Sequence, residues 1–136
     1  MSHAKLFLFD LGVRNALLRR PLDRPLEDER GLLFEHLMAY ELLRRTGPLW
    51  PEARLFHYRT RNGSEVDFVL EIGRELWAIE VKSGSRAPDR EPAGMASLSR
   101  RTDRLTRKIV VYTGKRAQQM DGFEVLPLRD FLSLLP

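Results

Sequence analysis

The chain of 136 residues is the size of one domain, and 43% hydrophobic with 31% charged side chains excludes a disordered segment. It holds no cysteine, which removes disulfides, thiolate metal sites and cysteine nucleophiles together. No apolar run approaches the ~20 residues that cross a bilayer. No secretory leader precedes the first periodic segment. The cytoplasm is therefore the expected location, and a membrane is not an expected partner.

In chain order, Lys5 to Phe9 reads as a short strand or extended entry, and Leu11 to Arg20 as a helix. Pro21 and Pro25 bracket a turn-rich connection, because proline fixes φ and restricts the residue before it. Asp28 opens a strong helix through GLLFEHLMAYELLRR that stops before Gly47-Pro48. Arg54 to Thr60, Glu65 to Ile72 and Glu75 to Val81 read as three successive strands. Ser83 to Pro92 is a loop, Ala93 to Arg104 a helix, and Lys108 to Thr113 a buried strand. Phe123 to Leu126 forms a last short strand and Leu128 to Leu135 a closing helix. The order α-β-β-β-α-β implies an α/β fold with a mixed central sheet flanked by helices.

The formal charge of +4 is unevenly spread. Between Lys82 and Arg116 ten Lys and Arg face only Asp89, Glu91 and Asp103, while the remaining 101 residues are net acidic. A basic block beside carboxylates suits a phosphodiester ligand, and a solvated arginine-rich surface is the plainer alternative. Arg86, Arg90, Arg100, Arg101, Arg104 and Arg107 are the candidates for a phosphate path. Arg59 and Arg61, beside Tyr58, are candidates for phosphate contact or simply a charged strand end.

The segment EVDFVLEIGRELWAIEVK is the most informative. Gly73-Arg74 between two alternating runs suits a two-residue type II′ hairpin loop. Ile72 then lies opposite Glu75. One face collects Val66, Phe68, Leu70 and Ile72 against Val81, Ile79, Trp77 and Glu75. The other pairs Glu65 with Lys82, Asp67 with Glu80, Val69 with Ala78 and Glu71 with Leu76. Two carboxylates directly opposed cost up to ~1 kcal/mol. A divalent cation such as Mg²⁺ or Mn²⁺, which favours hard carboxylate oxygens, would offset that. The alternative is a solvent-facing pair beside an exposed Glu65–Lys82 ion pair. Glu35 lies near the apolar stripe of its helix, flanked by Leu32, Met38, Ala39 and Leu42. It needs either a metal or a neighbouring arginine.

Asp67, then Glu80-Val81-Lys82 on the next strand, after a helix carrying Glu35, resembles the PD-(D/E)xK phosphodiesterase superfamily. More closely, GLLFEHLMAYELL, LFHYRTRNGSEVDFVLE and AIEVKSG are similar to the carboxy-terminal domain of prokaryotic AAA+-type ATPases, a domain described as of unknown function. The resemblance spans Lys5 to Pro136 and implies a restriction-endonuclease-like core. It also implies that Asp67, Glu80 and the Val81 carbonyl bind Mg²⁺ or Mn²⁺, that Lys82 orients or activates the attacking water, and that Glu35 assists. Val66 stands where the superfamily name has proline, and no G-x-x-x-x-G-K-[ST] occurs, Gly114-Lys115 included. An ATPase domain is therefore expected in cis or trans rather than within this chain. Residues 1–27 then read as an N-terminal extension of a single domain over 1–136.

His3, His36 and His57 lack metal-ligand spacing, and His57 reads as a surface or sheet-packing residue. The expected function is metal-dependent hydrolysis of nucleic acid, DNA by preference. A non-catalytic nucleic-acid-binding, protein-binding or regulatory module is the alternative.

Overall fold

The computed structural model describes residues 6–8, 10–20 and 27–136, and nothing of the Asp28 side chain. The expected strand over Lys5 to Phe9 lies partly outside these residues, and Leu6, Phe7 and Leu8 carry no strand. The Pro21–Pro25 connection lies outside them entirely. Helix α1, Leu11–Leu17, is capped by Asp10, whose carboxylate accepts the Val13 N–H at 2.9 Å. It ends short of Arg20, because Arg19 takes a left-handed conformation at φ 51°.

The helix expected from Asp28 begins instead at Arg30. A single 3-10 turn, Glu27–Glu29, precedes helix α2, Arg30–Arg45. Glu29 does not cap α2. Its carboxylate instead holds Arg14 at 3.2 Å and Arg20 at 3.5 Å, tying the entry of α2 to α1.

Three strands follow: β1 at Ala53–Arg59, β2 at Glu65–Ile72 and β3 at Glu75–Lys82. Helix α3, Ala93–Ser99, leads to β4, Leu105–Tyr112. The two-residue β5, Gln118–Gln119, then precedes β6, Glu124–Pro127, and α4, Leu128–Leu132. The sheet is mixed, with order β1-β2-β3-β4-β6-β5. β3, β4 and β6 run parallel, and β1, β2 and β5 are antiparallel to their partners. The α/β expectation holds. α3 is shorter than expected, because Ser99 Oγ bonds back to the Met95 carbonyl and Thr102 Oγ1 accepts the Arg104 N–H. That releases Leu105, Thr106 and Arg107 into β4.

The hairpin register is the expected one, with Phe68↔Ile79, Val69↔Ala78, Leu70↔Trp77, Glu71↔Leu76 and Ile72↔Glu75. Gly73 sits at φ 58° while Arg74 stays at negative φ, which is the type II′ pattern. Two expectations need correction. Both sheet faces are core. α2 covers Phe68, Leu70, Ile79, Ile109 and Val111, while Met95 and Leu98 of α3 cover Val69, Ala78, Val110 and Val125. Val66 belongs to the second cluster rather than with Phe68. The cause lies in the β1–β2 ladder. The step from Phe56 to Tyr58 faces the longer step from Val69 to Val66, so β2 carries one extra residue.

Candidate metal centre

Asp67 lies inside that irregular step. The bonded β2–β3 register ends at Phe68↔Ile79. Beyond it, the Val81 N–H donates not to a strand carbonyl but to the Asp67 carboxylate, at 2.9 Å. The Asp67 N–H in turn favours the ionised Glu80 carboxylate. The two strands therefore part around two carboxylates, Asp67 held by the Val81 N–H and Glu80 favoured by the Asp67 N–H.

Glu80 is 9% exposed. One of its oxygens, Oε1, accepts the Lys82 ammonium at 2.8 Å. The other, Oε2, is buried with no hydrogen-bond partner among the described residues. Burial pushes the Glu80 carboxyl above the usual range and the charge of Asp67 pushes it further. The Lys82 ammonium and the Asp67 N–H only partly offset this. For Lys82, burial works to lower the pKa. The hydrogen bond to Glu80 and the charges of Glu80, Asp67 and Glu65 outweigh it and hold the group above its ordinary value.

The expected Glu65–Lys82 ion pair does not form as the main contact. Lys82 turns to Glu80, while Glu65 stands opposite Arg59, 3.9 Å from its guanidinium. The carboxylates are not on an open face either, because α3 covers this side of the sheet. Gly94 packs so closely on β2 that a Cβ there would stand 1.7 Å from the Glu65 carbonyl oxygen.

A buried carboxylate oxygen without a donor, beside a second carboxylate, is the donor chemistry that fits a hard divalent cation. Glu35 is half-buried on α2, where its charge acts on His36. Among the described residues, no group of three or more His, Cys, Asp or Glu side chains gathers in a metal-binding arrangement.

His57, which its place in the strand marks only as a surface or sheet-packing residue, comes close to the acidic pair. Its Nδ1 lies 3.3 Å from the Asp67 carbonyl oxygen, so an exposed imidazole borders the acidic pair. The signal was its place on β1 facing the step that holds Asp67, which spacing alone does not disclose. His36, by contrast, is buried and accepts the Leu8 N–H through Nε2 at 2.7 Å. Burial lowers its pKa, and Arg14 lowers it further.

The arginines divide. Arg104 donates to Glu71 at 2.9 Å and to the carbonyls of Arg74 and Gly73, at the far end of the hairpin. Arg107 makes two bonds to Glu124, at 2.9 and 2.8 Å, and lies 4.6 Å from the Trp77 ring centroid. Arg86 pairs with Asp89 on the surface at 3.3 Å. Arg90 and Arg100 are exposed. Arg59, Arg61 and Arg101 line a common hollow with Tyr58, Thr60 and Asn62. The basic block is thus not one continuous path.

Sheet, covering helices and acidic pair together define an α/β domain with a candidate oxygen-ligand cation site at the parting of β2 and β3. Residues 30–131 match the family described as a domain of unknown function (DUF4143), and the chain belongs to that family. No curated protein and no solved structure matches it. Among the described residues, no helix is long and apolar enough to cross a membrane.

Proposed function

We propose that the domain is a metal-dependent phosphodiesterase of the PD-(D/E)xK kind, acting on nucleic acid. The observation that supports this most is Glu80. Its Oε2 is buried beside Asp67 without a donor among the described residues, while Lys82 holds only the other oxygen. On this reading Asp67, Glu80 and the Val81 carbonyl hold Mg²⁺ or Mn²⁺, with Glu35 assisting from α2. What the bound cation supplies is polarisation of the phosphate and a more acidic water. Asp67 also fixes the end of β3 through the Val81 N–H, so the carbonyl and carboxylates keep their spacing. Lys82 carries a fixed positive charge towards the phosphate, where negative charge grows in the transition state. The same reading puts DNA first as substrate, and an AAA+-type ATPase domain in cis or trans as partner.

A second reading, a binding or regulatory module that keeps this fold without turnover, is favoured by one observation. Lys82 already neutralises Glu80 in part. The two readings separate on Lys82→Met, which keeps much of the aliphatic stem and removes the charge. A phosphodiesterase loses cleavage of labelled DNA in Mg²⁺ or Mn²⁺ by about 10²–10³-fold, the scale of one oriented electrostatic contact. Parent protein that cuts no single-stranded, duplex or branched substrate, alone or with an ATPase partner, overturns the proposal.

A further inference from the structure

The hollow lined by Tyr58, Arg59, Thr60, Arg61, Asn62 and Arg101 has a volume of about 460 Å³. Its floor is a fixed turn. The Thr60 N–H donates to the Ser64 carbonyl at 2.8 Å, the Ser64 N–H to Thr60 Oγ1 at 3.1 Å, and the Gly63 N–H to the Thr60 carbonyl at 3.1 Å. Arg61 and Asn62 are carried exposed at the tip of this turn. The opposite wall comes from α3. That helix lies on the start of β2 through Gly94 and bonds the end of β1 through Ser97 Oγ and Tyr58 OH, 2.9 Å apart. It thereby delivers Arg101 to the turn. Three arginines line the hollow, and among the described residues no carboxylate does. Arg59 has only the distant Glu65, and neither Arg61 nor Arg101 has an ion-pair partner among the described residues. Like charges brought together by a rigid scaffold favour an anion between them, and guanidinium forks match phosphate oxygens.

The position of the hollow selects the kind of phosphate. Ser64 closes the turn, and β2 starts at the next residue with Asp67 as its third. A hollow and an acidic pair along one strand suit a polymer with repeated phosphates, because backbone phosphates are what position a nucleic acid on a protein.

We infer that this hollow is a phosphate subsite for a nucleic-acid strand, seating a backbone phosphate other than the one at Asp67 and Glu80. That placement rests on the phosphodiesterase reading above. Arg104 and Arg107 contribute little to it, because both are committed to carboxylates elsewhere.

Fluorescence anisotropy of the full chain with labelled single-stranded and duplex DNA, in EDTA and over a salt series, tests this without cleavage. Arg61→Ala/Arg101→Ala should flatten the log–log salt slope by about 1.4 on single strands and about 1.8 on duplex. Arg61→Lys/Arg101→Lys should restore it. Arg44→Ala/Arg54→Ala removes the same charge from exposed positions outside the hollow and should leave the slope as in the parent. A slope equal in both alanine variants overturns the inference, as does a parent that binds no DNA at low salt. Stabilisation by inorganic phosphate at matched ionic strength, without DNA binding, also overturns it and points to a small phosphate ligand. A flattened slope in a protein that never cleaves would support the hollow while removing the phosphodiesterase reading.

Discussion

At the Gly73-Arg74 end of the β2–β3 hairpin, Arg104 reaches the Glu71 carboxylate and two turn carbonyls, and every step of the ladder is regular. At the other end, the same two strands place Asp67 and Glu80 together, give Lys82 to one Glu80 oxygen and leave the other buried without a donor among the described residues. β2 also carries an extra residue there. One end gives the Glu71 carboxylate an arginine partner. The other holds more negative charge than its own lysine satisfies, under a helix that limits water. The same hairpin contains an ordinary structural ion pair and an acidic pair that its own lysine offsets only in part. The contrast between its two ends carries the assignment.

The largest change that breaks the contrast without touching a charge is Gly94→Ala. The added methyl meets the Glu65 carbonyl oxygen at a distance that forces α3 off β2. Overpacking of this kind costs about 1–3 kcal/mol. Chemical denaturation should report that loss, and the acidic pair should become more exposed.

A smaller effect sharpens the comparison through pH. Glu80 has its carboxyl raised above the ordinary 4.5 by burial and by Asp67. The native state therefore binds the proton more tightly than the unfolded chain, and ionised Glu80 costs stability at neutral pH. That cost disappears as pH falls through the raised value, and below the ordinary value the group's contribution is constant. Metal-free Glu80→Gln should thus be more stable than the parent at pH 7, by up to about 1 kcal/mol. The advantage should shrink on acidification in parallel melts. A pH-independent difference between the two would contradict the assignment of the strain to the ionised group.

Smallest is Arg104→Ala at the matched end. The Arg104–Glu71 pair is part-exposed, with side chains 43% and 25% accessible. Such a pair is worth at most about 1 kcal/mol. Its removal should leave cation response and cleavage unchanged, which a cleavage assay beside a melt would verify.

Much of this was legible beforehand, because alternation and Gly73-Arg74 set the hairpin register. The extra residue in β2 was not. Val66, Phe68, Val69 and Leu70 are all apolar, so a one-residue slip leaves no mark in a strand buried on both faces. The commitment of Arg104 to Glu71 and Arg107 to Glu124 was hidden for another reason. Each pair joins residues 33 and 17 positions apart, and composition counts charge without showing its partner. The short β5, Gln118–Gln119, has no apolar residue to betray it.

The central claim is that Asp67 and Glu80 together bind a divalent cation. Thermal melting of the parent and Asp67→Asn, each with EDTA and with millimolar Mn²⁺, tests it most directly. The account predicts that Mn²⁺ stabilises the parent by about 2.7 kcal/mol at a hundred times Kd, and that Asp67→Asn melts alike in both conditions. A parent whose melting temperature ignores Mn²⁺, or an Asp67→Asn variant that responds as the parent does, would contradict it.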